Sequence, residues 1–301
     1  MGEHAVVYGK PGLLAAVNKR IYVTLSKHEG KTPRTHPVEE SFIDHAIGTY
    51  FRVTGEKNPH TFDVSIASDI MPGYHLGSSA AVAVGIAGAL YYALHHILDL
   101  STINSIAYEI EKKQHGNPSG GDNTAVTYGG LVWYRKESEA LKIFQKIPFS
   151  FPSSFSHFFL IDTGKPKETT GEMVAIVAAR VKRQGTRMER LFERNEARTR
   201  QLLAAIHDSD ETMFIDALKR GEETLEKIGV VSQKVISLIR EIEKGNGAAK
   251  ILGGGGRRGG VGYVLGYHRE RRIIEAIGKK YRYSVHGIQL GEEGLRVEHH
   301  T

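Results

Sequence analysis

Residues 72–85 read PGYHLGSSAAVAVG. Gly73, Gly77, Ser78 and Ser79 stand directly before a run of small apolar residues whose pattern predicts a helix over 79–98. Serine and glycine are ordinary residues at a helix start, which is one reading. The other is an anion site, because the free N–H groups of a helix start converge there and the helix dipole favours negative charge. Small side chains would let a ligand lie close to the backbone. The stretch fits neither G-x-x-x-x-G-K-[ST] nor G-x-G-x-x-G, so the common nucleotide-binding loops are excluded as its source.

The surrounding chain narrows the choice. It has 301 residues, 40% of them hydrophobic and 25% charged, as in a globular protein of one large or two medium domains. There is no cysteine, which excludes disulfides, thiolate catalysis and Cys-ligated zinc, and which fits a cytoplasmic protein. The N-terminus, MGEHAVVYGK, lacks the basic and apolar segments of a signal peptide. Position 6 is Val, so the myristoylation pattern is incomplete. The apolar run around 80–94 is broken by Gly85, Gly88 and two tyrosines, and no membrane span is expected. A net charge of +6 favours anionic partners. The basic stretch 180–201 holds eight basic and three acidic residues with Arg/Glu pairs three and four apart. It reads as a solvated helix face, so no nucleic-acid partner is expected.

Glycine is the informative excess, 34 residues concentrated at 72–88, 116–130 and 245–266. In EKKQHGNPSGGDN (111–123), Gly116, Pro118, Gly120 and Gly121 predict an irregular loop that presents Asp122. Asp122 is either a turn residue or a base facing a substrate hydroxyl, and Glu111 a carboxylate for Mg²⁺ beside substrate phosphates. In KILGGGGRRGGVG (250–262), seven of ten residues from 253 to 262 are glycine, between an apparent helix and a strand. Close approach of backbone to a ligand or another loop explains this better than a linker.

Along the chain, 4–26 predicts a hairpin or short strands around Gly9-Lys10-Pro11-Gly12, and 61–68 another strand. Helix 100–114 follows, with Ser101 or Thr102 as its cap. Strands are expected at 131–134, 141–147 and 157–162, and helices through 171–244 with interruptions near 207–209 and 229. A strand at 263–266, a helix at 270–280 and a strand at 284–290 close the chain. The Pro/Ser cluster at 148–156 marks a boundary, giving domains 1–150 and 151–301. Strands and helices in two halves imply an α/β or α+β protein.

Four stretches, GEHAVVYGKP, LGSSAAVAVG, HGNPSGGDNTAVTYGG and IDTGKPKETTGEMV, occur in this order, and with the C-terminal glycine loop they span the chain from residue 2 almost to its end. Their sequence resembles that of the GHMP small-molecule kinases, most closely the branch acting on mevalonate. The resemblance implies an α+β, two-domain fold, with a ribosomal-protein-S5-like N-terminal domain and a ferredoxin-like C-terminal domain. It implies ATP and Mg²⁺ as cofactors and transfer of phosphate to the terminal hydroxyl of mevalonate. Sibling kinases acting on phosphomevalonate or sugars, and a catalytically silent nucleotide binder, are the alternatives.

By the same resemblance, Gly73, His75, Leu76, Gly77, Ser78 and Ser79 form the nucleotide-phosphate loop. Ser79 and Glu111 hold the metal, and Asp122 orients or deprotonates the acceptor hydroxyl. Glu3, His4 and Thr163 join Asp122 at the acceptor pocket, and the C-terminal glycine loop packs against the phosphate loop. A homodimer is compatible with this reading. Three departures stand out. The family has a strand ending in P-G-K ahead of GEH, and such a segment is expected to be encoded upstream of Met1. His75 occupies a position where the family has glycine. Arg257–Arg258 replace small residues, and would touch phosphate or an acidic substrate, or be solvated.

Overall fold

The structure, a computed structural model, describes residues 1–27, 39–58, 62–115, 118–155 and 157–298. Gly116 of the expected Asp122 loop, Thr61 at the start of an expected strand and Ser156 at the expected boundary lie outside the described residues. The chain divides into two units by contact. One comprises Met1–Asn18, Gly73–Leu76 and Gly130–Glu292; the other comprises Lys19–Pro72, Gly77–Gly129 and the segment from Glu293 on. This division does not follow the 1–150 and 151–301 halves. The strands following Pro11 and Gly130 are counted with the later part of the chain, because each partner of an antiparallel ladder must share its unit.

The second unit is built on the antiparallel pair β2 (Ile21–Lys27) and β3 (Phe62–Ser68), with Val23 opposite Ile66. Its helices are α1 (Glu40–Thr54), α2 (Ser78–His95), α3 (Leu100–His115) and α4 (Gly121–Tyr128). Among the described residues α2 alone is long and apolar enough to cross a membrane. Here it is a core helix: Ala83, Val84, Ile86 and Ala87 are fully buried in the cluster that includes Ile43, Val64 and Ile106. The start of α3 corrects one expectation. Its amides are capped by Asp99, whose carboxylate accepts from Ser101 N at 3.0 Å and Thr102 N at 3.2 Å, and not by Ser101 or Thr102. A carboxylate one residue before the helix reaches the second and third amides, which a hydroxyl inside the first turn cannot.

The first unit holds two antiparallel sheets. One has the order β1 (Gly12–Ala15), β4 (Leu131–Lys136), β5 (Lys142–Lys146). The other has the order β7 (Ala248–Ile251), β8 (Tyr263–Tyr267), β6 (Phe158–Asp162), β9 (Ser284–Ile288). Four helices accompany them: α5 (Thr170–His207), α6 (Glu211–Ile228), α7 (Gln233–Lys244) and α8 (Arg271–Tyr281). Strand β6 reads FFLID without alternation because both of its faces are covered. Phe159 and Ile161 join the cluster of Phe192, Ile239 and Ile274, while Phe158 and Leu160 join that of Phe214 and Tyr267.

Of the two readings of 4–26, the short strands are present and the hairpin is not. Ala5–Tyr8 is a 3-10 turn, β1 pairs with β4, and β2 pairs with β3, so the two neighbouring strands take distant partners. The helix expected before the glycine loop is α7, and between it and the loop lies β7, a strand the sequence reading leaves unassigned. Its four residues are all buried, so tertiary pairing with β8 decides the conformation.

Candidate functional site

The start of α2 carries the first group of site residues. Gly77 precedes the helix at φ 72°, in the left-handed region, and has no side chain of its own to cap it. Glycine takes that conformation without steric cost. A glycine N-cap offers the first-turn N–H groups no side-chain acceptor from its own position. The α4 start repeats the arrangement. Gly120 has φ 87°, so Asp122 stands in the first turn of a helix and not in an irregular loop. Thr124 Oγ1 donates to Gly120 O at 2.6 Å, and Asn123 Nδ2 donates to Asn104 Oδ1 at 2.7 Å, which ties this start to α3.

Three expected residues of the second unit come together here. Ser79 Oγ donates to Glu111 Oε1 in a short hydrogen bond from α2 to α3. A Cβ added to Gly77 would lie 3.9 Å from that of Asp122, so the Asp122 side chain rests over the loop. Burial pushes the Glu111 carboxyl up to about 7; the hydrogen bond from Ser79 opposes the rise and the Asp122 charge adds to it. Asp122 itself is exposed.

A buried carboxylate destabilised by burial and by a second carboxylate is a set that a divalent cation would relieve. No group of three or more His, Asp or Glu suited to a metal exists among the described residues. Two carboxylates and a hydroxyl suit Mg²⁺, which commonly takes one or two protein carboxylates and completes its shell with water and phosphate oxygens.

The first unit carries the remaining residues. Residues 73–76, the leading half of the loop, are clasped by the C-terminal glycine loop. Tyr263 N donates to Tyr74 O at 3.2 Å, and a Cβ on Gly262 would stand 2.5 Å from that oxygen. His75 has φ 61°, a left-handed conformation that glycine would take without steric cost. Its ring packs on Gly253 and Gly254, with Nδ1 3.4 Å from Thr170 Oγ1. The glycines of 253–262 thus permit the close approach of one loop to another. Arg258 is not simply solvated: its Nε donates to the buried Glu168 at 2.9 Å, and Arg257 N lies 3.3 Å from the same carboxylate.

Thr163 is buried and its hydroxyl is committed internally, donating to Gly262 O at 2.7 Å and accepting from Val261 N at 2.9 Å. It shapes the glycine loop. His4, at φ 59°, donates through Nε2 to Gly254 O at 3.0 Å; burial lowers its pKa. Glu3 accepts a short hydrogen bond from Lys250 Nζ. Burial opposes ionisation of Glu3, yet the Lys250 ammonium, with help from the chain's amino group, holds its carboxyl down at about 2. Glu222, fully buried on α6, accepts from Ile251 N at 3.0 Å, and burial pushes its carboxyl up to about 8.

Sequence reasoning singles out neither Lys250 nor Glu222. A signal for Glu222 was present: it falls on the stripe Phe214, Ala217, Leu218, Gly221, Leu225 that α6 buries.

Comparison with known proteins gives a consistent relationship. Residues 41–130 match the model of the GHMP kinases N terminal domain. The mevalonate kinase of Archaeoglobus fulgidus is 30% identical over 302 residues, covering 99% of this chain and 95% of its own. That of Pyrococcus horikoshii is 28% identical over 329 residues, with coverage of 99% and 94%. Among solved structures, mevalonate kinase of L. major in complex with R-mevalonate superposes with a TM-score of 0.80 at 21% identity, covering 98% of this chain and 94% of that one. The α+β two-domain fold expected from the motifs is thereby shown.

Proposed function

The chain belongs to the GHMP kinase family, and on that premise we propose that it transfers the γ-phosphoryl group of ATP to the terminal hydroxyl of mevalonate, giving 5-phosphomevalonate. The acceptor is taken from the full-length relatives, which are mevalonate kinases. One observation supports the chemistry above others: the glycine-led start of α2, with Ser79, Glu111 and Asp122 around it.

In the proposed mechanism the amides of Gly77, Ser78 and Ser79 cradle the nucleotide phosphates, with Gly73, His75 and Leu76 forming the approach to that loop. Ser79 and Glu111 hold Mg²⁺, which supplies charge neutralisation for the phosphates when bound. Asp122 accepts or steers the proton of the acceptor hydroxyl as the phosphoryl group passes in line. Glu3 and His4, with Thr163 supporting the loop beside them, serve the acceptor. A positive net charge suits two anionic substrates. The enzyme is proposed to work in the cytoplasm, as a monomer or a homodimer, on small molecules alone. ADP release measured with mevalonate, phosphomevalonate and galactose tests this. Turnover selective for mevalonate is expected; selective turnover of either other acceptor would reassign the substrate.

A further inference from the structure

Segment Gly2–His4 has no regular structure, yet two backbone angles in it lie in the left-handed region, Gly2 at φ 110° and His4 at φ 59°. Such angles persist at a non-glycine residue only where the surroundings hold them. The segment's own turn offers two short-range hydrogen bonds, Ala5 N to Glu3 O at 2.7 Å and Val6 N to Gly2 O at 3.0 Å.

The long-range hold comes from the strand β7. Lys250, 2% exposed, reaches from it to Glu3, and the adjoining Gly254 carbonyl accepts from His4. Lys250 also donates to Ile251 O, and Ile251 N in turn is bound by Glu222. One buried cation thus faces two carboxyl groups, that of Glu3 and that of fully buried Glu222, each with a buried oxygen, Glu3 Oε2 and Glu222 Oε1, that lacks a hydrogen-bond partner.

An apolar strand position with an apolar side chain would fold at least as well, since a buried ion pair is rarely the most stable filling. The pair therefore calls for another explanation. Through Gly254, the same strand end touches His75 and Thr170, so the strap joins the Gly2–His4 segment to the 73–76 loop.

We propose that Lys250 is a positioning residue: it clamps Glu3 from β7 and thereby fixes the Gly2–His4 backbone for the acceptor, while Glu222 fixes the strand that carries it. The proposal rests on the reading that this segment serves the acceptor. Glu3 acts through its carboxylate on the protein, and its neighbour His4 is what the clamp aims.

The test compares Lys250→Met with the double variant Glu3→Gln/Lys250→Met, which removes both charges and so avoids an uncompensated buried carboxylate. Two readouts are taken: steady-state constants for mevalonate and ATP, and amide exchange of peptides covering residues 2–9. The double variant is expected to regain the melting temperature that Lys250→Met loses. It should nonetheless keep a mevalonate KM raised at least tenfold, an ATP KM within twofold of the parent, and exchange at residues 2–9 accelerated at least tenfold. Parent-like exchange and a parent-like mevalonate KM in the double variant would overturn the proposal, as would a parallel rise of both KM values. If the parent turns over no mevalonate, the functional reading falls, and the exchange data alone still decide whether Lys250 holds the segment.

Discussion

Replacing Glu222 with glutamine isolates one buried carboxyl. Glu222 is fully buried on α6, and its folded pKa of about 8 stands well above the 4.5 of an ordinary glutamate. The folded state therefore holds a proton that the unfolded state releases above 4.5. Its contribution is fully present below pH 4.5 and is lost as pH rises toward 8. At about 1.4 kcal/mol per pH unit, the loss across that window is at most about 5 kcal/mol. Nearby Lys250 opposes the rise. Glutamine keeps a carbonyl to accept from Ile251 N and carries no charge at any pH. Urea unfolding of both proteins at pH 5, 6.5 and 8 reads the effect as a difference between them, in which every other titrating group cancels. The variant should gain on the parent by at least about 1 kcal/mol from pH 5 to pH 8. A difference constant within about 0.5 kcal/mol would refute the assignment of a buried, protonated Glu222.

Three other substitutions probe the site and its supports. Gly262→Ala forces a side chain into φ 81° and sets its Cβ 2.5 Å from Tyr74 O, so it should cost at least about 2 kcal/mol in urea unfolding; an unchanged midpoint would contradict the clasp between the two loops. Asp99→Ala removes the cap of α3 and should cost about 1 kcal/mol by the same assay. Ser79→Ala deletes the hydroxyl that bonds Glu111, and should raise the Mg²⁺ needed for half-maximal rate at least about tenfold; an unchanged Mg²⁺ dependence would remove Ser79 from the metal set.

Much of this was legible in the residues, and the exceptions share a physical cause. Helices α2, α3 and α5 to α7 follow from apolar periodicity and breakers, since their signals are local. Ser79, Glu111 and Asp122 are singled out by two glycine-rich stretches and by the family resemblance; the structure places the three near one another, and their roles remain a proposal. What failed is what depends on distant pairing. Strand β1 takes β4 as its partner, more than a hundred residues away, so the local turn at Gly9–Gly12 cannot decide between a hairpin and separately paired short strands. Strand β7 has only four residues, too few to show a period beside the glycine loop. Helix α1 went unassigned because no side chain caps its start and β-branched and aromatic residues dilute its pattern. Lys250 sits alone between AA and IL, and its meaning depends on Glu3, 247 residues earlier in the chain.

Asp122 carries the central claim, and its removal tests the claim most directly. Initial rates of ADP formation with mevalonate, measured for the parent and for Asp122→Asn at saturating ATP and Mg²⁺, should show kcat lowered by about 10²–10⁴ with the ATP KM little changed. A kcat within tenfold of the parent would contradict the account.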